Sequence, residues 1–448
     1  MASDSEGPRE GSLEAPTRHP LDWTGEAFYQ EDKLFAELER VFDICHGCRR
    51  CFNLCNSFPT LFDAIDDSDT MELDGVPRTV YWDVVDHCYL CDMCYMTKCP
   101  YVPPHEWNVD FPHLMLRAKA VKFKQGNIKR RDRILTSTDV VGKLAGIPII
   151  SNVVNATNRS TTGRKLLDKV LGVHPDANVP EYHSKKLYKR VRNDILTAAV
   201  ADPAGLTTGK VALFATCYGN YNEPHIGEDL VAVFRHNDIP VRLVGTEKCC
   251  GMPKLELGDL DAVKQAADAN IPGLVKLIDD GWDIVAPVPS CVLMFKQELP
   301  LMFPGNKDIA RVRDAIYDPF EYLMLRHKDN KLKTDFHQPL GNVAYHVPCH
   351  LRVQNIGLKT RDVLQLVPNT TVHTIERCSG HDGTYAVKSE FHETSMKICR
   401  PVINSVVRAN ATHYSSDCPM AGHQIENGMK SDLKPEHPLS LLRLAYGI

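Results

Sequence analysis

From residue 208 onward the chain alternates short apolar runs with longer amphipathic ones. KVALFATC (210–217), IPVRLVG (239–245) and WDIVAPVPSC (282–291) are rich in β-branched and aliphatic residues, as strands buried on both faces are, and IGEDLVAVFRHND (226–238) repeats its apolar residues at helical spacing. Strand followed by helix followed by strand predicts a parallel sheet covered by helices. The pattern then recurs. NVAYHVPC ends at Cys349 as KVALFATC ends at Cys217, NTTVHTIERCSG answers IPVRLVGTEKCCG, and ATHYSSDC answers WDIVAPVPSC, with the matching cysteines offset by 132, 129 and 127 residues. Offsets this steady predict two duplicated α/β domains, 208–330 and 341–448, joined by the polar stretch RHKDNKLKTDFHQPLG.

Upstream the alternation is missing. Residues 31–110 read as short helices and loops wrapped around cofactors, and 111–207 as a helical connector containing FPHLMLRAKAVKFKQ and the basic KFKQGNIKRRDR. Residues 1–30 begin as a polar stretch with acids, unlike a secretory signal or a transit peptide, and are expected to be a disordered tail. The predicted class is therefore α+β multidomain: a small helical domain followed by two duplicated α/β domains. No run reaches the roughly 18 to 20 apolar residues that a spanning helix needs. A cytoplasmic protein, peripheral at most on the inner face of the cell membrane, is expected. At 43% hydrophobic, 448 residues suffice for a sizeable core, and a net charge of −5 gives no electrostatic case for nucleic acid.

Sixteen cysteines change the picture, because a long chain without an export signal uses thiols for metal or redox chemistry. Cys45, Cys48, Cys51 and Cys55 are spaced C-x2-C-x2-C-x3-C; Cys88, Cys91, Cys94 and Cys99 are spaced C-x2-C-x2-C-x4-C-P. Three thiolates at steps of three can serve one cubane while the fourth reaches the neighbouring one, so the pair of quartets predicts two [4Fe–4S] clusters in a ferredoxin-like domain. The crossed assignment gives one cluster Cys45, Cys48, Cys51 and Cys99, and the other Cys88, Cys91, Cys94 and Cys55. Asn56, where a proline usually follows, and the long spacing before Cys99 depart from the usual pattern. Zinc is the alternative, although structural zinc sites usually bring two well-separated C-x2-C pairs to one ion.

The later cysteines form a first site of Cys217, Cys249, Cys250 and Cys291, with Gly251 allowing a tight turn, and a second of Cys349, Cys378 and Cys418, where Ser379 stands opposite Cys250. KCCGMPKLELGD, YHVPCHLRVQNIG, CSGHDGTYAVKSEF and CPMAGHQIENGMKSDLKPEHPLSLL, behind two quartets, resemble the family of the C subunit of anaerobic glycerol-3-phosphate dehydrogenase over residues 40 to 448. That family belongs with larger CCG-domain proteins such as heterodisulfide reductases and the iron–sulfur subunits of glycolate and lactate oxidation. The resemblance implies an iron–sulfur electron-transfer subunit that takes electrons from a flavoprotein dehydrogenase, of the glycerol-3-phosphate or a 2-hydroxy-acid type, or from another redox protein. It passes them to a quinone or a protein acceptor. A heterodisulfide-reductase-like thiol/disulfide reductase at the first CCG site is one alternative, and a zinc-bearing scaffold another. Relative to the five-cysteine pattern C…CCG…C-x2-C, Met294 and Ala421 replace the last cysteine of each repeat. The first site keeps four thiols for an iron–sulfur cluster or zinc; the second keeps three, with His350 or His381 as a fourth ligand. His46 is read as a hydrogen-bond donor to a cluster or as solvated, and Cys399 as a buried structural residue. The basic stretch before LAGIPIISNVV is read either as a membrane-docking or partner-docking element or as a solvated helix. Neither G-x-G-x-x-G nor a P-loop accompanies the cysteine sites, so no nucleotide site is indicated and the electrons are expected to arrive from a partner.

Overall fold

The computed structural model describes residues 16–191, 200–245, 247–429 and 431–448. They form two bodies, residues 16–127 with Leu301–Pro304 and residues 128–300 with 305–448.

In the first body, α1 (Glu31–Cys48) buries Leu34, Phe35, Leu38, Val41 and Phe42, one stripe of a 3.6-residue repeat. Around it stand α2 (Ser57–Asp66), α3 (Arg78–His87), α4 (Met93–Thr97) and α5 (Phe111–Lys124). Aromatic rings fill the centre: Phe58 lies 4.7 Å from Phe111 and Phe42 lies 5.2 Å from Tyr81, centroid to centroid. The Asp110 carboxylate caps α5 by accepting from the His113 amide at 3.0 Å. Expected as part of the connector, α5 thus belongs to this body.

Residues 16–30 correct the expectation of a tail. Arg18 donates to both carboxylate oxygens of Asp92 (2.7 and 3.0 Å) and of Asp110 (2.8 and 3.1 Å), and its guanidinium lies over the Tyr95 ring. Trp23 is buried, with its indole N–H on the Met302 carbonyl at 2.8 Å. Its one arginine is spent on buried carboxylates, while most of its other polar residues face solvent. The earlier part of the expected tail, residues 1–15, lies outside the described residues, as does 192–199 of the connector.

The second body contains two parallel sheets of the same topology. β1 (Val211–Leu213), β2 (Val241–Leu243), β3 (Asp283–Val285) and β4 (Ile316–Tyr317) are ordered β2-β1-β3-β4; β5 (Gly341–His346), β6 (Thr370–Ile375), β7 (His413–Ser416) and β8 (Pro435–Glu436) are ordered β6-β5-β7-β8. In the first sheet Val211 pairs with both Val241 and Asp283; in the second Val343 pairs with Val372 and His413. The duplication is thus structural, and the class is α+β with two α/β repeats. The repeats are fused rather than separate. Leu439, Leu442 and Tyr446, from the C-terminal helix Pro438–Tyr446, are fully buried in the core that covers the first sheet. Each leucine contributes about 1.5–3 kcal/mol there.

Five connector helices precede the first sheet among the described residues: α6 (Arg130–Leu135), α7 (Thr138–Ala145), α8 (Pro148–Arg159), α9 (Thr161–Leu171) and the short α10 (Leu187–Arg190). Val140, Leu144, Ile149 and Val153 are between 57% and 78% exposed, leaving an apolar face on α7 and α8 open to solvent. No single helix among the described residues is long and apolar enough to cross a membrane; α7 and α8 together have the composition but bend by 105°.

Candidate metal centres

Chain reversals set the two N-terminal quartets. Cys45 and Cys48 occupy the last turn of α1, and Arg49, left-handed at φ 50°, turns the chain so that Cys51 follows on the same side. The second run turns similarly at Leu90 and Asp92, both at positive φ, before α4. The extra residue before Cys99 is used to close α4: the Lys98 and Cys99 amides both donate to the Cys94 carbonyl.

The thiols then sort themselves by mutual electrostatics. Burial, then the thiols of Cys51, Cys99 and Cys48, push Cys45 well up. Burial followed by Cys99, Cys48 and Cys55 pushes Cys51 up to about 12. For Cys94 the neighbours after burial are Cys51, Cys91, Cys88 and Cys55. Cys99 thus lies with Cys45, Cys48 and Cys51 around one cavity, and Cys94 is flanked by Cys51 as well as by Cys91, Cys88 and Cys55. Phe58, Phe62, Tyr101 and Val109 line the same cavity. None of the sixteen cysteines is joined in a disulfide. Among the described residues no three His, Cys, Asp or Glu side chains converge around a single ion. Thiols of like charge gathered around a hollow are the donor set of a multi-iron cluster, and the residues fit one. Cys88 and Cys94 are buried, whereas all four thiols of the first run are half-buried. His46 uses Nδ1 to accept from Arg49 Nη2 at 2.8 Å, so that nitrogen is not a donor to sulfur.

In the second body each site lies at the C-terminal ends of three parallel strands, where open α/β sheets place their ligands. Cys217 follows β1, Cys249 and Cys250 follow β2, and Cys291 follows β3. Cys217 and Cys249 sulfurs are 3.9 Å apart, and Cys250 bonds both Cys249 and Cys291. All four predicted thiols are thus in one chain of contacts. The central one, Cys249, accepts from Cys217 and Cys250, which holds its thiol well below the usual range and pushes theirs up. Gly251, at φ 104°, makes the turn that lets adjacent cysteines face one centre. Thr216, just before Cys217, sits at φ 66° and ψ 158°, a region that costs a β-branched residue of the order of 1–3 kcal/mol; its hydroxyl accepts from the Gly219 amide at 3.0 Å. Where a fifth cysteine is missing, Met294 is fully buried, its methyl 3.6 Å from the position of a Cβ on Gly251. It begins one turn of π-helix, Met294–Glu298.

The second site draws Cys349, after β5, towards Cys378 and Cys418, both of which act on it once burial has pushed its thiol well up. The Gly380 amide donates to Cys378 sulfur at 3.3 Å, and a Cβ on Gly380 would lie 2.4 Å from the Ser395 carbonyl, so only glycine fits. Of the two candidate histidines, His350 holds Ser290 through Nδ1 at 2.8 Å, while His381 keeps a buried Nε2 with no hydrogen-bond partner. Ser290 adjoins Cys291 and His350 adjoins Cys349, so one hydrogen bond ties the walls of both sites. Cys399 is fully buried among Val402, Val406 and Tyr414, a packing position. Sequence reasoning missed α7, whose Asp139 carboxylate accepts from the Cys249 amide at 2.8 Å.

Comparison with known proteins agrees with this geometry. The cysteine-rich CCG domain matches twice, over residues 211–296 and 343–426. The chain is 28% identical to the C subunit of anaerobic glycerol-3-phosphate dehydrogenase of Escherichia coli K12 over 340 residues, 75% of this chain and 82% of the relative. It is 22% identical to the B subunit of fumarate reductase (CoM/CoB) of Methanothermobacter marburgensis over 422 residues, 89% and 72% of the two chains. To lactate utilization protein A of Bacillus cereus G9842 it is 27% identical over 220 residues, 47% of this chain and 87% of that one. The cysteine runs, the repeated sheets and these matches agree: the chain carries the cysteine-rich CCG domain twice and is similar over three quarters of its length to the C subunit of anaerobic glycerol-3-phosphate dehydrogenase.

Proposed function

We propose that this protein relays electrons from a flavoprotein dehydrogenase, acting on glycerol 3-phosphate or a 2-hydroxy acid, to a quinone or a protein acceptor. The reading rests above all on the crossed thiol sets, Cys45, Cys48, Cys51 and Cys99 beside Cys88, Cys91, Cys94 and Cys55. Two [4Fe–4S] clusters held there, each by four thiolates with no open position, supply one-electron carriage. The chain's own part is to hold the thiolates close together and to leave the first run half-exposed for a partner. The first CCG site, with four thiols in contact, is assigned a further iron–sulfur centre; the second, with three thiols, is assigned no metal. Iron, sulfide and zinc content of anaerobically purified protein, with EPR before and after reduction, tests this. More than eight irons per chain with two interacting cubane signals and a third signal is expected. Little iron with abundant zinc, once cluster loss is excluded, would refute it.

Supporting a peripheral seat on the inner face of the membrane, residues 128–191 hold thirteen Lys and Arg against five Asp and Glu in a chain of net charge −5, beside the open apolar face of α7 and α8. A second reading, thiol–disulfide chemistry at the first CCG site, draws support from Cys249, whose thiol is held well below the usual range by the hydrogen bonds it accepts from Cys217 and Cys250. It predicts that Cys249→Ser abolishes turnover of a disulfide with both cubane signals intact; electron transfer at the normal rate in that variant counts against it.

A further inference from the structure

Thr138 opens α7 with a side-chain hydroxyl whose oxygen is buried and makes no hydrogen bond among the described residues. Its neighbours dispose of theirs in the ordinary way. Thr136 donates to the Asp132 carbonyl at 2.9 Å, Ser137 to the Arg133 carbonyl at 2.6 Å, and Thr157 to the Val153 carbonyl at 2.8 Å. Thr138 instead turns inward and lies beside the thiols of Cys217 and Cys249, whose ionised forms it favours. A buried hydroxyl left unpaired costs about 1–3 kcal/mol, so an acceptor is expected where it points. Two sulfurs are what it meets.

The placement of Thr138 is fixed from several sides. Asp139 holds the Cys249 amide at 2.8 Å. Gly142 lies so close to the Cys217–Tyr221 helix that a Cβ would stand 2.4 Å from the Tyr221 ring. Lys254 Nζ reaches Thr136 Oγ1 at 3.3 Å and Ser137 Oγ at 3.2 Å. An Asp carboxylate, a helix contact and a lysine therefore all hold the first turn of α7 against the first CCG site, although α7 lies about 80 residues before Cys217 and outside both CCG matches.

We propose that Thr138 donates its hydroxyl proton to sulfur at the first CCG site and thereby sets the reduction potential of the centre held there. This rests on the reading that the site holds an iron–sulfur centre. Reduction adds negative charge to the sulfurs, so a donor stabilises the reduced form and raises the potential. Asp139 has a different part, orienting Cys249 through its backbone.

The test is a potentiometric titration of the full-length protein, read by EPR, for Thr138→Val and Thr138→Ser. In the valine variant the reduced-to-oxidised ratio of the CCG-site signal at fixed potential is expected to fall about tenfold, equivalent to about 59 mV for a one-electron couple. In the serine variant it returns to the parent value, and the two cubane signals move in neither. Equal potentials in the valine variant and the parent, with iron content unchanged, would overturn the inference. If valine prevents assembly of the centre, the same comparison is made between Thr138→Ala and Thr138→Ser, and equal potentials there would overturn it. Absence of any CCG-site signal in the parent protein would instead refute the underlying reading of the site and the inference with it.

Discussion

Arg18 fixes the second cysteine run in place, and its removal has a calculable effect. Its guanidinium is 10% exposed, against 5% and 20% for the carboxylates of Asp92 and Asp110. Asp92 lies inside the second cysteine run, left-handed at φ 59°, and Asp110 caps α5. Arg18→Met leaves two largely buried carboxylates facing each other without their cation. Breaking a buried pair from one side costs about 3–5 kcal/mol, whereas replacing all the charges is close to neutral. Arg18→Met alone is thus expected to destabilise the first body by about 3–5 kcal/mol. Adding Asp92→Asn and Asp110→Asn should restore most of it. Asp110 supplies a second readout. Burial would raise its pKa, but the charges of His113 and Arg18 and their hydrogen bonds outweigh this and hold it at about 2. A depressed folded value means stabilisation that is complete above the unfolded pKa of about 3.9 and is lost as pH falls towards 2, a contribution of roughly 2.5 kcal/mol. The variant should lose part of that acid-dependent stability, His113 retaining the rest at 3.3 Å. Anaerobic denaturant titration of the metal-loaded protein between pH 5 and pH 2, followed by the visible absorption of the clusters, measures both. A single-variant loss below about 1 kcal/mol, or a triple variant no better than the single one, would refute the reasoning.

The crossed thiol sets predict paired effects: Cys99→Ser alters the same EPR signal as Cys45→Ser, and Cys55→Ser the same signal as Cys91→Ser; effects that follow the sequence runs instead would reject the crossing. Ile149→Asp and Val153→Asp, at positions 78% and 60% exposed, should leave folding intact and lower co-sedimentation with anionic vesicles several-fold, and raised salt should do the same to the parent. Unchanged sedimentation would reject the membrane seat. Cys399→Ala should cost about 1 kcal/mol in denaturant stability, as deletion of one methyl-sized buried group does, with metal content unchanged; loss of metal would make Cys399 a ligand.

Motif spacing and apolar runs made much of this legible. The first three strands are visible as short apolar runs, whereas TTVHTI and HYSS in the second sheet are largely polar and show mainly through the cysteine offsets. β4 and β8 are not visible, since two residues such as Ile316–Tyr317 or Pro435–Glu436 carry no period. Residues 16–30 misled because charge in a sequence looks the same whether it meets water or a buried partner; only the fold reveals that Arg18 faces Asp92 and Asp110. The fusion of the two repeats was hidden for a similar reason: Leu439, Leu442 and Tyr446 read simply as apolar helix positions, and nothing local says that the first sheet's core receives them. At the sites, the ligand-bearing residues follow from spacing. Thr138 and Asp139 do not, because an ordinary helix start far from any cysteine acquires its meaning only when α7 packs.

The unequal burial of the two N-terminal runs bears on how long the protein lasts in air. Oxygen and peroxide reach a metal–thiolate bond through the surface, so the run with four half-buried thiols decays before the run that buries Cys88 and Cys94. Yet Cys51 stands between the sets, and each set takes its fourth thiol from the other run. Damage to the exposed run therefore removes Cys55 from the sheltered one, and oxidative inactivation of the pair becomes a single event whose rate is set at the surface.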